Sequence, residues 1–317
     1  MSVSTHYHHK PGAWRIGFRA KHFVQVLSLM CVFVVTSAQA KILHEERSLY
    51  SRIIIKQTGS QVCLQFNVRN EQRNQSCIDR RKPKAMVFSY TQMSMAALLF
   101  TPQPQNILVI GLGGGTLPTA FNELYPEAVV DTVEIDPAVV KVANEYFAFS
   151  ANDKLNVHTL DARVWTKRAL RKDRRYDIIV LDAFNGEYIP EHLMTREYLT
   201  ETQSLLTPTG TLVANTFSMS QLYDHESATY AHVFGSFINF RTPASGNRLV
   251  VVPGEQLDGS ALSSRAKALS PRLRAYSVPI ERFAELINKQ RQQPPDWQQN
   301  VRLLTDQYAP ANLLQGR

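Results

Sequence analysis

The sequence predicts an α/β protein: a mostly parallel sheet with helices on both faces, preceded by a small β-rich domain. Three observations carry this reading. From Asn106 onward, apolar strands alternate with amphipathic helices, the pattern of a sheet covered on both sides. The first of those strands breaks into the glycine loop of "VIGLGGGTLPTAF" (109–121). Before it, residues 41 to about 100 are rich in β-branched runs and turn signals, closing in one helical stretch.

The first 40 residues carry Lys10, Arg15, Arg19 and Lys21 and no Asp or Glu. The apolar run from Phe23 to Val35 is short of the roughly 20 residues that a membrane span needs. It ends in "SAQA", with small residues at Ala38 and Ala40. This is the pattern of a secretory signal peptide with cleavage after Ala40, so the protein is expected to be exported or periplasmic. An uncleaved anchor, or a cytoplasmic protein with a misassigned start codon, are the alternatives. "HYHH" (6–9) reads as part of a disordered cationic tail rather than a metal site. The formal charge is +8, of which +4 lies in this leader. The remaining basic clusters, "RRKPK" (80–84) and "KRALRKDRR" (167–175), read as solvated faces, and no nucleic-acid partner is expected.

In the small domain, "SLYSRIIIKQ" (48–57) reads as a strand, followed by a Thr-Gly-Ser turn. "QVCLQFNV" (61–68) and "QSCID" (75–79) read as two strands flanking a polar loop, "RNEQRN" (69–74). Cys31 would leave with the leader, which leaves Cys63 and Cys77, an even number in an oxidising compartment. In a hairpin centred near Asn70 they face each other. A disulfide there is geometrically feasible; two unpaired thiols remain the alternative. "SYTQMSMAALLF" (89–100) reads as a helix with its methionines in the core, and "TPQPQ" (101–105) as a stiff connector.

The alternation then runs strand "NILVIG", helix "TLPTAFNELY", strand "AVVDTVEID", helix "PAVVKVANEYF" with Pro137 in its first turn, strand "KLNVHTLDA" and helix "RVWTKRALR". It continues with strand "YDIIVLDAF", helix "TREYLTETQSLL" and strand "GTLVANTF". "ATYAHVFGSF" follows, then "INFRTP" and "NRLVVVPG" as an antiparallel edge hairpin. The C-terminal 60 residues read as helical around "IERFAELINKQ". The expected domains are a leader (1–40), a β-rich domain (41–103), a nucleoside-binding α/β domain (104–254) and a helical extension (255–317).

A glycine loop after the first strand of such a sheet lets a ligand approach bare backbone. The dinucleotide fingerprint requires a third glycine where Thr116 stands, and the Gly-Lys-Ser/Thr ending of a phosphate loop is absent. Gly111, Gly113, Gly114 and Gly115 are instead followed by Glu134 at the end of the second strand. An acid there can accept hydrogen bonds from both ribose hydroxyls. Asp161, with Ala162 beside it after the third strand, is placed to accept from an adenine amino group. Loop and acids together read as an S-adenosylmethionine-type nucleoside site, with no metal.

At this point residues 48–254 and the tail "LLTDQYAP" (303–310) resemble the spermidine/spermine synthase family of aminopropyltransferases. The residues that carry the resemblance are "SLYSRIIIKQ", "YTQM", "VIGLGGGTLP", "VEIDP", "DAR", "YDIIVLDAFN" and "LLTDQYAP". The resemblance implies a small β-domain on a methyltransferase-like (Rossmann-type) sheet. It also implies transfer of the aminopropyl group of decarboxylated S-adenosylmethionine to a small-molecule amine, without a metal. Glu134 would hold the ribose, Asp161 the adenine, and Asp182 would be the catalytic acid/base, with Gly111, Gly113, Gly115 and Ala162 around the nucleoside. Tyr90, Gln92 and Asn185 would face the amine. A homodimer is a compatible assembly.

The sequence departs from the family on the amine side. Gly114 stands where the family has an aspartate near the aminopropyl group. Asn185 stands for a second aspartate, and Pro243, in "TPASG", for a tyrosine. A diamine would lose several charge-assisted hydrogen bonds. Two other functions remain open on the same fold: an S-adenosylmethionine-dependent methyltransferase, and a non-catalytic nucleoside-binding homologue.

Overall fold

The computed structural model describes residues 40–68, 71–184, 189–243 and 245–310. The leader and Asn185 lie outside these residues. The described chain begins with a four-stranded antiparallel sheet in sequence order: β1 (Lys41–Arg47), β2 (Arg52–Thr58), β3 (Gln61–Val68) and β4 (Glu71–Asp79). Strand β1 was not expected. Its "KILHEER" is polar and mostly exposed, as befits a sheet edge, and so carries no apolar alternation. The expected loop at 69–74 is also shorter than read, because β4 starts at Glu71. The expected register holds: Cys63 pairs with Cys77, Cα atoms 4.1 Å apart, and the two form a disulfide.

The expected helix over 89–100 is two short ones, α1 (Ser89–Ser94) and α2 (Ala97–Phe100). Their side chains explain the break. Met93, Met95, Ala96, Ala97, Leu98 and Leu99 are all fully buried, on more sides than one straight amphipathic helix can bury. They join the main core, so this end of the β-rich segment packs on the larger sheet.

That larger sheet follows. Strand β5 (Asn106–Ile110), α3 (Thr116–Leu124), β6 (Val129–Glu134), α4 (Pro137–Tyr146), β7 (Leu155–Thr159), α5 (Ala162–Arg171) and β8 (Tyr176–Leu181) alternate as read. Then come α6 (Arg196–Gln203), β9 (Leu206–Phe217), α7 (Tyr223–Phe234), β10 (Ile238–Arg241) and β11 (Asn247–Val252). The order across the sheet is β10-β11-β9-β8-β5-β6-β7. Strands β5 to β9 are parallel; β11 runs antiparallel to both neighbours and is inserted between β9 and β10. The last hairpin is therefore antiparallel as expected, but it brings Asn247 beside Phe217 at the end of β9.

Sequence-local devices set the helix starts. Asp136 accepts from the Ala138 N–H ahead of Pro137, Asp161 from Val164, and Thr195 from Tyr198. Ile107, Val109, Ile178 and Val180 on the central strands are fully buried, each contributing roughly 1.5–3 kcal/mol of apolar burial. Helices α8 (Gly259–Leu273) and α9 (Ile280–Gln290) belong to the same core through Leu262, Phe283 and Ile287. The tail is tied down by Arg163, which bonds Asp306 at 2.7 and 2.8 Å and Glu201 at 3.1 and 3.2 Å. Part of what the tail motif does is thus architectural. A fully buried Arg248 bonds Glu226 (3.0 Å), Thr216 (2.7 Å) and Ser227 (2.6 Å), which satisfies a charge the core could not otherwise hold.

Candidate active site

The C-terminal ends of β5, β6, β7 and β8 open on a cavity of about 420 Å³, closed on its far side by Phe66, Gln75 and Ser76 of the small sheet and by Tyr90 and Thr91 of α1. This is the edge at which open α/β sheets take ligands. Topology brings Gly111, Gly113, Glu134, Asp161, Ala162, Asp182 and Tyr90 together around it.

Gly111 has φ +100°, and a Cβ there would stand 2.3 Å from the Asp182 carbonyl oxygen. Only glycine lets β5 end so close to β8. Gly115 does not line the cavity. It bends the chain into α3 against Phe149, so its role is in the turn rather than at the ligand.

Glu134 accepts from the backbone N–H groups of Leu112 (3.1 Å) and Asp136 (3.0 Å), one on each carboxylate oxygen. Burial pushes its carboxyl up, and the Asp136 and Leu112 N–H groups pull it partly back. Each oxygen keeps a second lone pair for a diol. Asp161 is more committed than the sequence suggested. One oxygen caps α5 through Val164 (3.0 Å) and the other meets His192 Nε2 at 2.7 Å. His192 holds the Asp161 carboxyl below the usual range, and the Val164 N–H adds to this against the desolvation. His192 also lines the cavity, and no signal in the sequence marked it.

Asp182 sits partly buried at the end of β8, its own N–H donating to the Ile110 carbonyl (2.8 Å). Its Oδ1 accepts from Asn215 Nδ2 at 2.8 Å, and Asn215 Oδ1 accepts in turn from Asn247 Nδ2 at 2.9 Å. Burial pushes the Asp182 carboxyl up to about 7, with the Asn215 bond working in the opposite direction. A carboxylate balanced at that point can take a proton near neutral pH and can also keep one. This amide pair was missed. Asparagine inside a strand is polar but otherwise anonymous, and only the insertion of β11 beside β9 aligns the two.

On the amine side the structure corrects one expectation. Gln92 does not line the cavity; its amide donates to the Met86 carbonyl (2.8 Å), where it braces the turn into α1. Tyr90 does face the cavity, with its hydroxyl on the Gln75 carbonyl (3.0 Å). Pro243 lies exposed in a turn, away from the cavity lining. At Gly114 a Cβ would stand 2.7 Å from Ser76 Oγ and 2.8 Å from the Phe147 ring, so an aspartate there would have to displace those two side chains. Among the described residues, no group of three or more His, Cys, Asp or Glu side chains could hold a metal ion.

The strand order and the cavity at these strand ends are those of the methyltransferase-like α/β fold. Residues 87–252 match the spermine/spermidine synthase domain. Over 300 residues the chain is 47% identical to a polyamine aminopropyltransferase of Vibrio vulnificus, covering 92% of this chain and 98% of that protein. Over 223 residues it is 30% identical to the polyamine aminopropyltransferase of Chromobacterium violaceum, covering 69% of this chain and 82% of that one. Among solved structures, a probable spermidine synthase from Corynebacterium glutamicum superposes with a TM-score of 0.62 at 21% identity, covering 81% of this chain and 99% of that chain. The chain belongs to the spermine/spermidine synthase family.

Proposed function

We propose that this transferase moves an aminopropyl group from decarboxylated S-adenosylmethionine to a small amine in the cavity between the small sheet and the ends of β5 to β8. The reading rests above all on Asp182, the cavity carboxylate whose only hydrogen-bond donor among the described residues is one side-chain amide. Its second oxygen is left for the substrate. The donor supplies an electrophilic carbon activated by the sulfonium charge, and this chain's residues do the rest.

Glu134 and the Gly111–Gly113 backbone hold the nucleoside. Asp182 accepts the proton of the incoming ammonium, whose ordinary pKa of about 10 otherwise leaves it without a nucleophilic lone pair. The freed amine nitrogen bonds to the methylene carbon on sulfur. The carbon–sulfur bond breaks with its electron pair going to sulfur, leaving a neutral thioether, while the proton stays with Asp182. The amine end is altered relative to the family. Gly114 is closed off by Ser76 and Phe147, and putrescine is a poor acceptor on this reading.

The test is product formation from labelled donor. Asp182→Asn keeps the shape and the Asn215 contact but removes the base, and should lower transfer by about 10²–10⁴-fold with donor binding retained. Turnover within a few-fold of the parent would refute the role.

A further inference from the structure

Ser76 is one of the buried side chains of the cavity wall, 7% exposed, and its hydroxyl makes no hydrogen bond among the described residues. It stands against the glycine loop: its Cβ lies 3.6 Å from the Cβ position of Gly113 and its Oγ 2.7 Å from that of Gly114. The disulfide at Cys77, the next residue, clamps β4 to β3 and holds Ser76 there. Ser76 and Phe147 fill the space over Gly114, where the loop itself carries no side chain. The polar group offered there comes from the small sheet instead.

Several other polar groups of the cavity wall are committed, although the Ser51 hydroxyl, like that of Ser76, has no partner among the described residues. Tyr90 donates to Gln75 and Thr91 to the Phe88 carbonyl. The four cavity acids have their own partners: Glu134 on backbone N–H groups, Asp136 on Ser48 and Ala138, Asp161 on His192 and Asp182 on Asn215. None of them bonds Ser76. Ser76 is thus a neutral, unpartnered group with one donor and two acceptor sites, beside the loop that receives the sulfonium donor.

We propose that Ser76 is a donor-specificity residue: its hydroxyl bonds the polar tail of the sulfonium nucleoside, and its neutrality admits a carboxylated tail as well as a decarboxylated one. A carboxylate at this point could only accept hydrogen bonds. It would favour an ammonium tail and repel a tail that carries its own carboxylate. A hydroxyl accepts from the first and donates to the second. The ligand class of the cavity is then sulfonium nucleosides of both kinds, with aminopropyl transfer limited to the decarboxylated one. This inference rests on the nucleoside reading above.

Three ligands separate the two by calorimetry on the purified chain: methylthioadenosine, which has no polar tail, decarboxylated S-adenosylmethionine and S-adenosylmethionine. In the unmodified protein the two tailed ligands should bind within about tenfold of each other. Ser76→Ala should weaken both several-fold while methylthioadenosine binds as before. Ser76→Asp should shift the ratio of the two at least tenfold toward the decarboxylated ligand. A preference above a hundredfold for the decarboxylated ligand in the unmodified protein, or unchanged affinities for both tailed ligands in Ser76→Ala, would overturn the proposal. Failure of methylthioadenosine to bind the unmodified protein would instead overturn the nucleoside reading on which it rests.

Discussion

Replacing Asn215 by alanine should move the acid limb of the pH–rate profile upward. The Asn215 amide donates to Asp182 Oδ1 at 2.8 Å and lowers its pKa, against the burial that leaves it raised from an ordinary 3.8 to about 7. A donor to a carboxylate favours the charged form; its removal favours the acid. A hydrogen bond to a charged group is worth roughly 1.5–3 kcal/mol. At 1.36 kcal/mol per pK unit, its loss should shift Asp182 up by about 1–2 units. The limb should then lie at about pH 8–9, and the rate at pH 7 should fall about five- to fiftyfold. The assay is kcat/KM for product formation between about pH 5 and pH 10, where the acid limb reports the base in the free enzyme. Linkage gives a second sign. The folded protein holds a proton on Asp182 over a window, from about 4 to about 7, in which the unfolded chain has lost it. This group therefore costs stability as pH rises through that window, and Asn215→Ala should widen it upward. A limb that stays at the parent pH while methylthioadenosine still binds would refute the reasoning.

Glu134→Ala removes the carboxylate proposed to hold the ribose and should weaken methylthioadenosine by at least ~2 kcal/mol, read by calorimetry. An unchanged dissociation constant would show that the diol is held elsewhere. We further propose that the leader is cleaved in an exporting host, so that the mature chain starts at Lys41, the first residue of β1, and carries the Cys63–Cys77 bond. N-terminal sequencing and non-reducing mass measurement test this. Reduction should cost about 3 kcal/mol of stability in the chain-entropy model.

The family, the parallel sheet and one wall of the cavity were legible in the sequence because their signals are local. Alternating apolar strands and helices force a parallel sheet. Topology then carries whatever follows each strand to one edge, so Gly111, Glu134, Ala162 and Asp182 meet there without any further information. The Cys63–Cys77 register followed from counting outward from a hairpin turn. Only the tertiary structure decided the rest. The partners of the acids come from distant segments: His192 for Asp161, Asn215 for Asp182, and Asn247 behind it. Ser76 reaches the glycine loop because the small sheet packs across the strand ends, and Gly114 is closed for the same reason. Gln92 looked like a ligand contact and turned out to brace a turn. Common polar residues on strands have no periodicity and no spacing to betray them. Their roles are fixed by which strand lies beside which, and here by β11 entering between β9 and β10, a pairing set by the packing of the whole core.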